Sequence, residues 1–202
     1  MVLAGIFGGI LFLLLLIGDW HQFTSLRPIA AQYGFAIAHR KDYLEDIHHE
    51  TFPKRFGKSG IIELPHGIAC WFEDQEVITF RPYYQLFTMR FRTAWPLKGN
   101  IEFNSTDAGV ELSLTKRMPW SSGVVTMAWL GLVVIGTVTF LIMFGVDGGF
   151  SSAGGLLMAF GVGGLGVLVL LFGLIMISLA YRLEDARLMQ VYQELQDTLQ
   201  NK

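Results

Sequence analysis

The chain has 202 residues, 52% hydrophobic and only 16% charged, with a mean hydropathy of +0.45. A soluble domain carries about a quarter charged residues, so an ordinary soluble globule is excluded. A formal net charge of −2 lacks the basic surplus that nucleic-acid binding needs. The charges fall within 19–117 and 182–202, with Asp147 alone outside them, the pattern of a membrane protein carrying one soluble insert.

The first apolar run is Val2 to Ile17, ending at Gly18, Asp19 and Trp20. At about 1.5 Å per residue it reaches roughly 24 Å, short of a hydrocarbon core of about 30 Å, and an interfacial Trp20 with slight bilayer thinning covers the difference. No Lys or Arg precedes the run and no A-x-A site follows it, so it reads as an uncleaved span rather than a signal peptide. Gly123 to Val146 and Ala153 to Ala180 are longer and hold no ionisable residue. The short 147–152 link makes them antiparallel neighbours. Arg27, Lys116, Arg117, Arg182 and Arg187 lie near span ends on one side, which the positive-inside rule places in the cytoplasm. Trp20, Trp120 and Tyr181 fall at the three ends sharing that interface. The expected arrangement is a multi-pass protein of the inner or plasma membrane, with its N-terminus outside and its insert and C-terminus cytoplasmic.

Within the spans, Thr126, Thr137, Thr139 and Ser178 can bond back to their own helix carbonyls. The absence of a carboxylate, His or Arg at depth argues against a secondary transporter. Gly5 and Gly9 are four residues apart, and Gly155, Ala159 and Gly163 form a second ladder. Small residues at this spacing let helix backbones approach closely, either among these spans or against a partner subunit.

In the insert, Ser25-Leu-Arg-Pro28 reads as a helix start continued by Ile29 to Tyr33 and ended by Gly34. Lys41 to Glu50 reads as a second short helix, and 52–60 as a basic, turn-rich loop whose Lys54, Arg55 and Lys58 suit lipid headgroups. From Gly60 the pattern alternates, predicting strands at Gly60–Leu64, Gly67–Phe72, Glu76–Arg81, Gln85–Arg92, Asn100–Asn104 and Val110–Lys116. Turn residues such as Pro65-His-Gly67, Pro96–Gly99 and Asp107-Ala-Gly109 separate them. An antiparallel meander or small barrel with two short helices follows. The fold class is thus three transmembrane helices with an inserted α+β, mainly antiparallel β, soluble domain. Its parts are 1–18 (first span), 19–122 (soluble domain), 123–180 (transmembrane hairpin) and 181–202 (amphipathic C-terminal helix). In that last helix Leu188, Tyr192, Leu195 and Leu199 make an a/d seam that needs an apolar partner, either the strand domain or another chain.

Candidate chemistry is sparse. His48 and His49 are adjacent and diverge on a helix. Glu45 and Asp46 share a face with His49, but a metal site there would need His39 or His66 as well. Glu73, Asp74 and Glu76 crowd one turn, which reads as a solvated hairpin tip. Gly161-Val-Gly163-Gly-Leu-Gly166 lies mid-span with no strand before it, so it is no nucleotide loop. Cys70, the only cysteine, sits among apolar neighbours and reads as a buried hydrophobe. No catalytic, cofactor or metal site is expected. The expected function is a non-enzymatic accessory or scaffold subunit of a membrane complex, whose partners are the bilayer and either other membrane subunits or further copies of this chain. The alternative is a membrane-tethered ligand- or lipid-binding sensor domain. A third reading, an enzyme, requires His39, His49, His66 and Glu73 or Asp74 to converge.

Overall fold

The computed structural model describes residues 2–45, 55–57, 59–83, 93–106 and 109–200. Its helices are α1 (Val2–Thr24), α2 (Pro28–Ala31), α3 (Trp120–Val146) and α4 (Ala153–Gln200). Three of them, α1, α3 and α4, are long and apolar enough to cross a membrane, which suggests membrane association. α1 runs past Gly18 to Thr24, whose hydroxyl donates back to the Trp20 carbonyl at 2.9 Å. Between α3 and α4, Gly148 turns the chain at φ +76° and Gly149–Ser151 form a 3-10 turn. The Ser152 hydroxyl then accepts from the Gly155 N–H at 3.0 Å, a serine cap that starts α4.

The remaining elements are strands: β1 (Phe35–Glu45), β2 (Ile61–Glu63), β3 (Gly67–Phe72), β4 (Val77–Pro82), β5 (Lys98–Thr106) and β6 (Gly109–Met118). They form one antiparallel sheet in the order β1-β6-β5-β4-β3-β2. From β2 onward it is a meander, and β1 comes back to pair with β6, from Phe35 opposite Met118 to Glu45 opposite Gly109. Among the described residues the order is open, with β1 and β2 as its edges, and no barrel closes. Lys41–Glu45, expected as the start of a helix, are the end of β1, and 46–50 lie outside the described residues. The expected strand Gln85–Arg92 also lies outside them. The expected helix from Ser25 shortens to the single turn of α2. Gly34 follows it at φ +108°, where an added Cβ would come within 2.6 Å of the Met118 carbonyl oxygen. Only glycine fits that conformation and that gap.

The chain divides into two compact units, Met1–Ser122 with Leu183–Lys202, and Gly123–Arg182. In the second, an added Cβ at Gly166 would lie 2.5 Å from the Thr137 hydroxyl, and one at Gly173 would lie 2.6 Å from the Trp129 ring. Those two glycines are where α4 approaches α3 closely.

In the first unit, alternation splits the sheet into two faces. Ala69, Trp71, Ile78, Phe80, Ile101, Leu112 and Leu114 share one face, and Leu188, Val191, Tyr192, Leu195 and Leu199 cover it in the same core. The tail seam is therefore an intramolecular contact. Tyr192 stacks on Phe80 with centroids 5.7 Å apart and donates its hydroxyl to Asp42 at 2.8 Å. Burial, then that hydrogen bond, raises the phenol well above its ordinary pKa. Lys116 pairs with Asp185, and His66 pairs with Glu194 through both its ring and its backbone N–H. Arg55 donates to the Thr198 carbonyl at 2.9 Å. The buried Glu184 carboxylate accepts from Thr93 and Arg187.

Because Leu195 is fully buried between helix and sheet, Leu195→Ala should destabilise the protein by about 3 kcal/mol. Chemical denaturation of detergent-purified protein measures this. An unchanged midpoint would mean that the tail is not part of the folded core.

Candidate functional site at the junction of α1, α2 and α3

The sheet's other face is more polar and is covered at one end by α1, α2 and the following turn. At the end of α1, Asp19 receives the Tyr33 hydroxyl at 2.6 Å, and the Ser121 N–H and hydroxyl at 3.0 and 2.6 Å. Ser121 is the second residue of α3, so Asp19 caps that helix from another element. A carboxylate at a helix N-terminus satisfies an orphan donor and complements the macrodipole. Tyr33 is pushed up to about 12 by burial, then by the Asp19 hydrogen bond and charge.

Two buried polar residues of β5 hold α2. The Lys98 ammonium donates to the Ala30 carbonyl at 2.5 Å and the Phe23 carbonyl at 3.5 Å, and lies 4.7 Å from the centroid of the Phe23 ring. The Asn100 amide donates to the Ala31 carbonyl at 2.6 Å and accepts the Thr79 hydroxyl at 3.2 Å. The Ala30 carbonyl also accepts the Tyr33 N–H at 3.1 Å, and these side chains add donors at a helix end that leaves carbonyls in need of them. Arg117 of β6 donates to the Gly34 carbonyl at 2.9 Å. Burial, then the charges of Arg117 and Arg81, push the Lys98 ammonium down to about 7. Cys70 is buried against Ala31 and Phe72, and burial raises its thiol pKa.

The residues expected from sequence are dispersed. Gly5 and Gly9 of α1 have nothing within 4 Å of an added Cβ, Gly155 meets the Gly149 carbonyl, and Gly163 touches Leu141 only loosely at 3.7 Å. Ala159 is half-buried. Leu188, Tyr192, Leu195 and Leu199 are in the sheet core, whereas Trp20, Trp120 and Tyr181 are exposed. Arg55 is tied to the tail, while Lys54 and Lys58 lie outside the described residues. His39 on β1 meets the Thr115 hydroxyl at 3.0 Å, whereas His66 precedes β3. Three strands separate β1 from β3, roughly 19 Å at ordinary strand spacing. Glu73 and Asp74 sit at the opposite end of β3, on an exposed 3-10 turn. The convergence that the enzyme reading requires is therefore contradicted for His39, His66, Glu73 and Asp74, and His49 lies outside the described residues. Among the described residues no group of three or more His, Cys, Asp or Glu could hold a metal.

No protein-family model, curated protein or solved structure matches the chain.

The Lys98 shift makes a signed prediction. Unfolded, the amine holds its proton to about pH 10.4; folded, it releases it near 7. Above pH 7 the unfolded state therefore binds more protons, and stability rises with pH. The melting temperature of detergent-purified protein should climb from about pH 7 to 9, before the lysine's ordinary range is reached. Lys98→Met should flatten that slope. An equal slope in both proteins would rule out this origin.

Proposed function

We propose that this chain is a non-enzymatic accessory or scaffold subunit of a membrane protein complex, inserted through α1, α3 and the first part of α4. The observation that carries it is the small-residue content of the spans. α1 carries Gly5 and Gly9 four residues apart, and in α4 Gly166 and Gly173 admit the Thr137 and Trp129 side chains of α3. Small residues at such spacing suit close approach by a helix of another subunit. The alternative of a membrane-tethered sensor draws support from α4, which runs unbroken from its apolar part into the sheet core and would carry a displacement between them.

The tail supports one arrangement in the bilayer. Leu188 to Leu199 pack on the sheet formed by 35–118, which favours insert and tail on one side. That requires an even number of crossings between them, which α3 and α4 supply. The Lys and Arg residues near span ends favour the cytoplasm for that side.

Two measurements test this. Mass analysis of the intact assembly after gentle detergent extraction should find a stoichiometric partner, lost in a Gly5→Leu/Gly9→Leu variant. A lone monomer would remove the accessory reading. For orientation, an impermeant maleimide applied to intact cells should label Ser152→Cys and not Gln193→Cys, with the buried Cys70 silent; the reverse pattern would invert the topology.

A further inference from the structure

Lys98 and Arg117 stand directly opposite each other on β5 and β6. Phe80 stands opposite Gly99 on β4 and β5, so one step along that antiparallel ladder places Arg81 beside Lys98. Three neighbouring strands thus carry Arg81, Lys98 and Arg117 as a row of cations on one face. Like charges directly opposite in a sheet are destabilising, and burial makes each charge costlier. Lys98 is 1% exposed. Among the described residues, neither Lys98 nor Arg117 forms an ion pair. Asp19 is engaged by Tyr33 and Ser121, and Glu111 by Lys41. Lys98 meets only carbonyl dipoles and the Phe23 ring. The Arg117 Nε–H is buried with no hydrogen-bond partner, which leaves a donor of a cationic group unspent.

The surroundings indicate what neutralises the row. The carbonyl that receives Lys98 belongs to Ala30, whose neighbour Ile29 is 84% exposed. The carbonyl that receives Arg117 belongs to Gly34, whose neighbour Phe35 is exposed and meets the exposed Trp120 edge-on at 5.5 Å. Trp120 opens α3, and Trp20 lies near the end of α1. Exposed apolar and aromatic side chains therefore border the cations at the ends of two helices fit to cross a membrane, where aromatic residues favour the headgroup level.

We propose that Arg117, with the buried charge of Lys98 opposite it, forms a phosphate site that takes the headgroup of an anionic phospholipid. Arg117 as a residue is half-buried, and the fork geometry of its guanidinium suits a phosphate. The phosphate supplies the negative charge that Lys98 and Arg117 lack among the described residues, while the acyl chains lie along Ile29, Phe35 and Trp120. Burial, then the charges of Arg117 and Arg81, lower the proton affinity of Lys98, and a phosphate bound beside them opposes that shift. This inference rests on membrane insertion of α1 and α3. It does not require a partner subunit.

The test uses full-length protein in a neutral detergent, titrated with short-chain phosphatidylglycerol, short-chain phosphatidylcholine or inorganic phosphate, and followed by native mass spectrometry and thermal shift. Phosphatidylglycerol should bind the wild type in preference to phosphatidylcholine. Arg117→Gln and Lys98→Met should weaken that binding about tenfold or more, as loss of a charge-assisted hydrogen bond implies, and Arg117→Lys should restore part of it. If Lys98→Met fails to fold, the two Arg117 variants carry the test. Equal lipid binding by wild type and Arg117→Gln would overturn the site. Displacement of the lipid by inorganic phosphate at equal concentration would overturn its assignment to a lipid. The maleimide pattern reports separately on insertion, so a correctly inserted protein without lipid selectivity sinks this inference alone.

Discussion

A sheet exposes two faces, and the apolar one must be covered by something that is not the sheet. Here the cover is the end of a 48-residue helix whose earlier part is as apolar as a lipid tail. Leu188, Val191, Tyr192, Leu195 and Leu199 recur at three- and four-residue intervals along it, and all are buried in the same core as the inward residues of β3 to β6. Folding of residues 35–118 thus depends on residues more than sixty positions away, beyond both long helices. Polar pairs along the rim (Asp42 with Tyr192, Lys116 with Asp185, His66 with Glu194) fix the helix's rotation and height, which burial alone leaves open because the hydrophobic effect is non-directional. Gly67 shows how close the fit is, since a Cβ there would come within 2.6 Å of Val191.

The opposite face works by a different chemistry. α2 is too short to hold itself together, and its carbonyls are satisfied by Lys98 and Asn100 from the sheet. Asp19 joins the end of α1 to the start of α3 through Ser121, with Tyr33 as a third member. A buried ammonium among carbonyls, with two guanidinium groups near it, is a costly way to anchor one helical turn. An apolar residue in place of Lys98 would leave the Ala30 carbonyl without this donor but would remove the repulsion. The arrangement makes sense once a negatively charged group completes it.

Much of the sheet was legible because its strands alternate and its turns are marked. Gly67–Phe72 has the boundaries expected, and Val77–Pro82 and Gly109–Met118 differ from expectation by one or two residues at each end. β1 was not legible. It is an edge strand with polar or charged residues on both faces, including Arg40 and Asp42 on one and His39 and Lys41 on the other, so neither period stands out. Edges carry charge because it discourages pairing with other chains, and here that device hides the strand from a periodicity reading. Tyr43, Leu44 and Ile47, at helix-like spacing, reinforced the wrong period. The seam of the tail was visible as a pattern, but its partner was not, because a heptad-like stripe is the same whether a sheet or a helix faces it. The junction was the least visible. Lys98 sits in a Pro96–Gly99 stretch that reads as a turn, and Asp19 reads as the polar end of a span. Their roles come from elements far apart in sequence, which spacing cannot reveal.

The dependence of the sheet on α4 also sets an order of events during synthesis. All six strands leave the ribosome before the residues that cover them, and the two long apolar helices lie between. Until Leu199 has been made, the sheet carries an open apolar face, the kind of surface that makes folding intermediates prone to aggregate. The face is closed only when the tail emerges on the side where the strands are waiting. With α3 and α4 inserted as proposed, a hairpin that crossed only once would strand the cover on the wrong side and leave the sheet unfinished. On the proposed insertion, completion of the sheet's core acts as a check on threading, and a misthreaded chain carries its own mark for disposal.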